Sequence, residues 1–102
     1  MIQAHPKPGT KKKRSKTVAE KAYHNLVASH GCIICGAGAN IHHVRPNAAP
    51  KDHMRVLPLC HRHHQGSEGL HHLGKRVWWE KFGYELDLLE ILNERLNQRK
   101  SA

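Results

Sequence analysis

The chain has 102 residues, of which only 38% are hydrophobic and a single one is phenylalanine. A chain of this length forms one small domain, and so polar a composition predicts a core that needs a metal ion or another cross-link. No apolar run approaches the ~20 residues of a membrane span, and the Lys-rich start lacks the apolar segment of a signal peptide. We therefore expect a cytoplasmic protein without a membrane partner, whose three cysteines remain reduced.

The net charge of +9 is concentrated in the first two thirds of the chain. Residues 1–67 hold eleven Lys and Arg against two acidic residues, whereas residues 68–102 hold six of each. This imbalance predicts a polyanionic partner such as DNA; the alternative is a basic surface that only keeps the protein in solution. Residues 1–16 are the predicted flexible basic arm and residues 17–102 the predicted folded domain. The candidate DNA-binding residues are Lys11, Lys12, Lys13, Arg14, Lys16, Arg45, Arg55 and Arg62.

The first predicted helix follows the arm. Thr17 and Glu20 have the spacing of a capping box, which predicts a helix from Val18 to His30 that ends at Gly31 in a left-handed cap. Its predicted inner stripe consists of Val18, Ala22, Leu26 and Ser29.

A hairpin and further helices are predicted after this helix. Residues 40–45 form a strand ended by Pro46, residues 47–52 a loop, and residues 53–59 a second strand. A helix is predicted to begin at His61, and Gly66 and Gly69 disfavour its continuation. Two further helices are predicted over residues 75–82 and 86–98. Leu88, Leu89, Ile91, Leu92 and Leu96 form the inner face of the last helix, and one ring of the Trp78–Trp79 pair is expected in the core. The fold class is α+β.

Two ligand pairs with zinc-site spacing stand in the middle of this order. Cys32 and Cys35 form a Cys-x-x-Cys pair, and Cys60 and His63 a Cys-x-x-His pair. Thiolates and imidazoles are the ligands that zinc prefers, and four of them close a tetrahedral structural site. The alternative is three reduced cysteines and a surface histidine.

Further histidines adjoin this site without being needed for it. His42 and His43 lie in the first predicted strand, and His64 directly follows His63. Imidazoles suit both general-base catalysis at neutral pH and the binding of a catalytic divalent metal. Neighbouring strand residues point to opposite sides, so His42 and His43 can serve one site only if the strand end twists there. In a continuous helix, His71 or His72 would lie on the same face as His64.

Hairpin, metal cluster and helix in this order resemble the ββα-metal finger of HNH endonucleases, and the motifs resemble their phage recombination-enhancing, Ref-like subgroup. The matching pieces are Cys32/Cys35, residues 41–44, His53, residues 58–64, residues 72–75, Trp79-Glu80 and Phe82-Gly83. The resemblance implies a phage-derived, metal-dependent DNA endonuclease in a bacterial cell, acting in recombination with a recombinase filament as partner.

The resemblance also implies roles for individual residues. His42 and His64 become ligands of the catalytic metal (magnesium, manganese or zinc), His43 the general base, and Cys32, Cys35, Cys60 and His63 the structural zinc site. The subgroup's His-x-Gly-Lys motif favours His72 as a third ligand. The family's middle asparagine has no clear counterpart, because His53 holds its place and Asn47 lies in the loop. His53 is therefore assigned to the active site without a defined role.

The rival prediction is a non-catalytic zinc module that binds nucleic acid. It requires the four zinc ligands and the basic arm, and leaves His42, His43 and His64 unexplained. The signatures of zinc peptidases (His-Glu-x-x-His) and zinc deaminases are missing from the sequence.

Overall fold

The computed structural model describes the backbone of residues 15–101 and the side chains of residues 15–98. Most of the predicted arm, with Lys11, Lys12, Lys13 and Arg14, lies outside the described residues. Within them, a two-stranded antiparallel sheet and five helices form an α+β fold, as predicted. The elements are α1 (Val18–His30), β1 (Asn40–His43), a 3₁₀ turn (Pro46–Ala48), β2 (Val56–Leu59), α2 (His61–His64), α3 (Leu70–Leu73), α4 (Lys75–Phe82) and α5 (Glu85–Ser101).

Helix α1 has the predicted bounds, and its capping box is present. The Glu20 main-chain N–H donates to Thr17 Oγ1 at 3.0 Å, and the Thr17 N–H donates to Glu20 Oε1 at 2.8 Å. Gly31 has the predicted positive φ, 85°, but its ψ of 168° leads into extended backbone rather than a left-handed cap. The chain thus leaves the helix straight into the Cys32–Cys35 knuckle.

The predicted inner stripe of α1 is wrong for Val18, Ala22 and Ser29, which are exposed, and holds only for Leu26, which packs against the core. Val18 is 85% exposed, and the buried residues of the helix are His24 and Val27. Apolar spacing misled the prediction, because the helix packs against the sheet through a face that includes a polar imidazole. This rotation brings His24 toward the hairpin.

Both strands are shorter than predicted. Their register pairs Asn40 with Leu59 and His43 with Val56. Asp52 closes a turn over residues 52–55: its Oδ1 accepts from the Met54 N–H at 2.8 Å, and its carbonyl accepts from the Arg55 N–H at 3.1 Å. The second strand therefore begins at Val56 and not at His53, which lies in the turn.

The helix predicted from His61 is two short helices joined by a reversal. Gly69 lies so close to α2 that a Cβ atom there would be 2.6 Å from the carbonyl carbon and oxygen of His64. Because only glycine permits this approach, α3 packs back beside α2 instead of continuing it. Helix α4 has the predicted bounds and ends at Gly83.

The core lies between α1, the sheet and the two last helices. Trp78 is fully buried and its indole N–H donates to the His63 carbonyl at 3.0 Å, while Trp79 is half-buried, as expected for this pair. Helix α5 buries its predicted leucines, but Ile91 is 39% exposed and does not belong to the inner face. The core thus ends directly beneath the metal-ligand residues of α2.

Candidate metal sites

The first site joins three segments of the chain. Cys32 and Cys35 come from the knuckle after α1, Cys60 from the end of β2, and His63 from α2. Their donor atoms all lie within 4.8 Å of one another, and Cys35 Sγ is 3.7 Å from Cys60 Sγ. His63 Nδ1 lies 3.8 Å from Cys32 Sγ and 3.2 Å from Cys60 Sγ. The four predicted ligands are therefore brought together.

These separations suit a tetrahedrally coordinated metal ion. Zn–S and Zn–N bonds of about 2.3 and 2.0 Å imply donor separations of roughly 3.5–3.8 Å. Burial disfavours ionisation of Cys32, but main-chain N–H groups around its sulfur outweigh burial and lower its pKa, whereas burial raises the pKa of Cys60. Metal binding would displace the thiol proton of Cys60 into solvent. The group could hold a metal ion such as zinc.

The second site is a group of three histidines from β1, α2 and α3. His42 Nδ1 lies 3.2 Å from His64 Nε2, which lies 3.1 Å from His71 Nε2. His42 is buried, His64 half-buried and His71 exposed, so the group opens toward solvent on one side. Burial, followed by the charges of His42 and His71, lowers the pKa of His64 to about 4. This imidazole is therefore neutral near pH 7, as a metal ligand must be.

Glu85 supports the second site from behind. The His42 Nε2–H donates to Glu85 Oε2 at 2.6 Å, and the Trp79 Nε1–H donates to Glu85 Oε1 at 3.0 Å. Burial opposes the charge of Glu85, but the hydrogen bonds from His42 and Trp79 outweigh burial and lower its pKa. The carboxylate holds the proton of His42 on Nε2 and leaves the Nδ1 lone pair facing the group, a pattern common behind metal-ligating histidines.

Glu85 was not predicted from the sequence. The residue is only 4% exposed although it begins α5, because its carboxylate contacts His42 of β1 and Trp79 of α4. In sequence it was one acid among the six of the last third of the chain, 43 positions from His42.

A third group contains His24, His43 and His53, on the other side of β1. His43 Nε2 lies 3.1 Å from His53 Nδ1, and one donor atom of each residue lies within 4.8 Å of the other two. His24 Nε2–H donates to the His53 carbonyl at 2.6 Å. Burial, then the charges of Lys51 and the neighbouring histidines, lowers the pKa of His43 to about 4. His24 was not among the residues predicted for the active site.

His42 and His43 therefore point to opposite sides of β1, as strand geometry requires, and not into one cluster. Both nevertheless border one open cleft of ≈ 380 Å³ at the end of the strand. The charged and titratable residues of this cleft are His42, His43, His71, Glu85, Arg45 and Lys75.

The structure places His71, and not His72, with His42 and His64. The reversal at Gly69 breaks the continuous helix on which the spacing argument rested, and α3 presents His71 to His64 while His72 faces solvent. His53, and not Asn47, contacts His43. Asn47 is exposed in the 3₁₀ turn with a φ of 53°.

The described DNA-binding candidates differ in their availability. Arg45 is exposed at the cleft, although its Nε–H donates to the Ala49 carbonyl at 2.7 Å. Arg62 pairs with Glu68 at 2.7 Å, Lys16 Nζ lies 3.4 Å from His24 Nδ1, and Arg55 is half-buried. Arg45 is therefore the one described candidate of this set that borders the cleft.

Comparison with models of known protein families gave no match, and comparison with curated protein sequences gave none either. Among residues 15–101, no helix has the length and apolar character needed to cross a bilayer.

Proposed function

We propose that this protein is a metal-dependent DNA endonuclease of the ββα-metal type, with a structural zinc ion at Cys32, Cys35, Cys60 and His63. The observation that carries the proposal is a row of contacts from Glu85 through His42 and His64 to His71. The buried carboxylate fixes the tautomer of His42 so that its Nδ1 faces the other two imidazoles, and His42 and His71 border an open cleft. His43, which contacts His53, borders the same cleft.

The residues of the second site would hold the catalytic ion. His42, His64 and His71 offer three imidazole nitrogen donors and leave the solvent side open for a substrate. An ion there would stabilise negative charge on the phosphate and on the leaving oxygen. Imidazole donors favour manganese, nickel or zinc over magnesium, which prefers oxygen ligands.

His43 is the proposed general base. It is neutral at pH 7, so its ring can accept the proton of an attacking water. His53 contacts His43 and orients it, which gives His53 the positioning role that the family's asparagine holds in the resemblance. A phosphate arriving near Lys51 would offset the charge of this lysine and raise the pKa of His43, making it a stronger base.

Arg45 and Lys75 border the cleft and are the proposed contacts to the DNA backbone. The link to phage recombination, the recombinase filament as partner and the cytoplasmic location remain predictions from the sequence.

The proposal is tested with supercoiled and single-stranded DNA, with and without a recombinase filament. Wild type, His43→Ala, His71→Ala and His72→Ala are each assayed with EDTA, magnesium, manganese or one added equivalent of zinc. We expect metal-dependent cleavage by wild type and His72→Ala, and a loss of about 10²–10⁴-fold in His43→Ala. His72→Ala is the matched control, since it removes a neighbouring exposed imidazole.

Two results would change the proposal. Cleavage that survives in His43→Ala would remove the base assignment. Binding of DNA without cleavage under every metal, by all four proteins alike, would favour the non-catalytic zinc module.

A further inference from the structure

The group of His24, His43 and His53 contains one more imidazole than the proposed general-base chemistry uses. The proposed reaction uses His43 as a base and His53 to orient it, and leaves His24 without a part. Yet His24 is only 5% exposed and comes from a different element, α1, facing the other two across the hairpin. Its ring is 5.6 Å from those of both His43 and His53, centroid to centroid.

We propose that His24, His43 and His53 form a third metal site, which binds zinc when zinc is in excess and thereby inhibits the enzyme. Metal binding at this site stands on its own geometry, whereas the inhibition rests on the proposed function.

The geometry fits an ion with nitrogen ligands. One donor atom from each imidazole lies within 4.8 Å of the other two, the same limit that the other two groups meet. Three imidazoles with no oxygen donor suit zinc or a neighbouring transition metal and disfavour magnesium. The hydrogen bond from His24 to the His53 carbonyl orients that ring, as such bonds do behind metal-ligating histidines.

Charge makes this the weakest of the three sites. The first site supplies three cysteine sulfurs, and the second is backed by Glu85. The third site has no anionic group among its ligands, and Lys16 Nζ lies 3.4 Å from His24 Nδ1. Lys51 also repels positive charge at His43. Zinc should therefore fill this site last, after the structural and catalytic sites.

Occupancy blocks catalysis by a simple route. A lone pair of His43 that binds an ion cannot accept a proton from water. Cleavage therefore falls when the third equivalent of zinc binds, although the catalytic metal and the fold are intact.

The test counts zinc on the full-length protein by equilibrium dialysis over a range of free zinc concentrations. We expect wild type to bind three equivalents, and His24→Ala and His53→Ala to bind two. His30→Ala, which removes an imidazole from the same helix outside the three groups, should bind three. Lys16→Gln should fill its third site at lower free zinc, because the substitution removes the nearest ammonium. Thermal unfolding of each variant shows whether it is folded.

Cleavage with manganese is then measured at each zinc level. We expect wild-type activity to fall by about 10²-fold or more as the third equivalent binds, at a lower zinc concentration in Lys16→Gln. A wild type that binds only two equivalents, or folded His24→Ala and His53→Ala variants that bind three, would overturn the site. A third equivalent that binds without loss of cleavage would overturn the inhibition alone. A protein that binds three equivalents and never cleaves DNA would refute the nuclease and keep the site.

Discussion

At the scale of single residues, the contact between His42 and Glu85 determines which ring nitrogen of His42 faces the second site. The 2.6 Å hydrogen bond keeps the proton on Nε2 of His42, and Glu85 remains ionised because Trp79 also donates to it. A neutral amide in place of the carboxylate keeps the shape of this support but loses its charge.

We therefore predict that Glu85→Gln weakens metal binding at the second site by roughly 10–100-fold, the usual effect of removing such a partner. Isothermal titration with manganese, on protein whose structural site is already filled, measures the affinity. Glu80→Gln is the control, because Glu80 is an exposed acid whose nearest charged partner, Arg76, is 4.0 Å away on the same helix. Equal affinity in Glu85→Gln and Glu80→Gln would show that Glu85 does not support the metal ligand.

At the scale of elements, the reversal between α2 and α3 brings His71 to His64. It depends on Gly69, whose Cα lies against the His64 main chain, where no flexible side chain can give way. The backbone must move to admit any larger residue.

Gly69→Ala should accordingly destabilise the fold by about 1–3 kcal/mol, the usual range for overpacking, and weaken metal binding at the second site. Urea unfolding and the same manganese titration measure the two effects. Gly38→Ala serves for comparison, since a Cβ atom there would have no neighbour within 4 Å. Our account of α3 fails if the two variants are equally stable and bind manganese equally well.

Glu68 connects α2 with α4 through ion pairs with Arg62 at 2.7 Å and Lys81 at 2.9 Å. The hydrogen bonds from Lys81 and Arg62 lower the pKa of Glu68 to about 2, from an ordinary value of 4.5. A carboxyl group whose pKa is lower in the folded state stabilises the protein above its unfolded pKa, and this contribution disappears as the pH falls toward the folded pKa.

The wild type should thus be more stable than Glu68→Gln at pH 6, and its advantage should shrink between about pH 4.5 and pH 2. The measurement is the difference in Tm between the two proteins at each pH. Both proteins lose metal in acid, so this effect largely cancels in the difference. A difference that stays constant down to the lowest pH at which both proteins fold would speak against these ion pairs.

At the scale of the whole molecule, the first site lies where α1, β2 and α2 meet. Its ligands lie at the end of α1, at the end of β2 and in α2, so one ion would hold together the elements that surround the core. Few hydrophobic residues are available to replace it.

Removing zinc with a strong chelator should therefore abolish cooperative thermal unfolding or lower the Tm substantially, and added zinc should restore it. Cys60→Ser should behave like the chelated protein, whereas His71→Ala, which affects only the open second site, should retain a Tm near that of wild type. Unfolding that is unchanged after zinc is removed and confirmed absent would exclude a structural role for the ion.

The sequence by itself determined what depends on short spacing. Helix α1 was predictable because its capping box lies within four residues, and the first site because its ligands come in two pairs of fixed spacing. The helical bounds of α4 followed from a pattern ended by glycine. In each case the pattern that carried the prediction spans only a few residues, although the two ligand pairs of the first site meet only in the fold.

The tertiary structure alone decided which distant side chains meet. The partnership of Glu85 with His42, the choice of His71 over His72, and the approach of His24 to His43 and His53 join different elements. They depend on the rotation of α1, on the reversal at Gly69 and on the packing of α5, none of which a local pattern records. A sequence specifies such contacts only through the sum of its packing, and here that packing places six of the histidines in two groups on opposite sides of one strand.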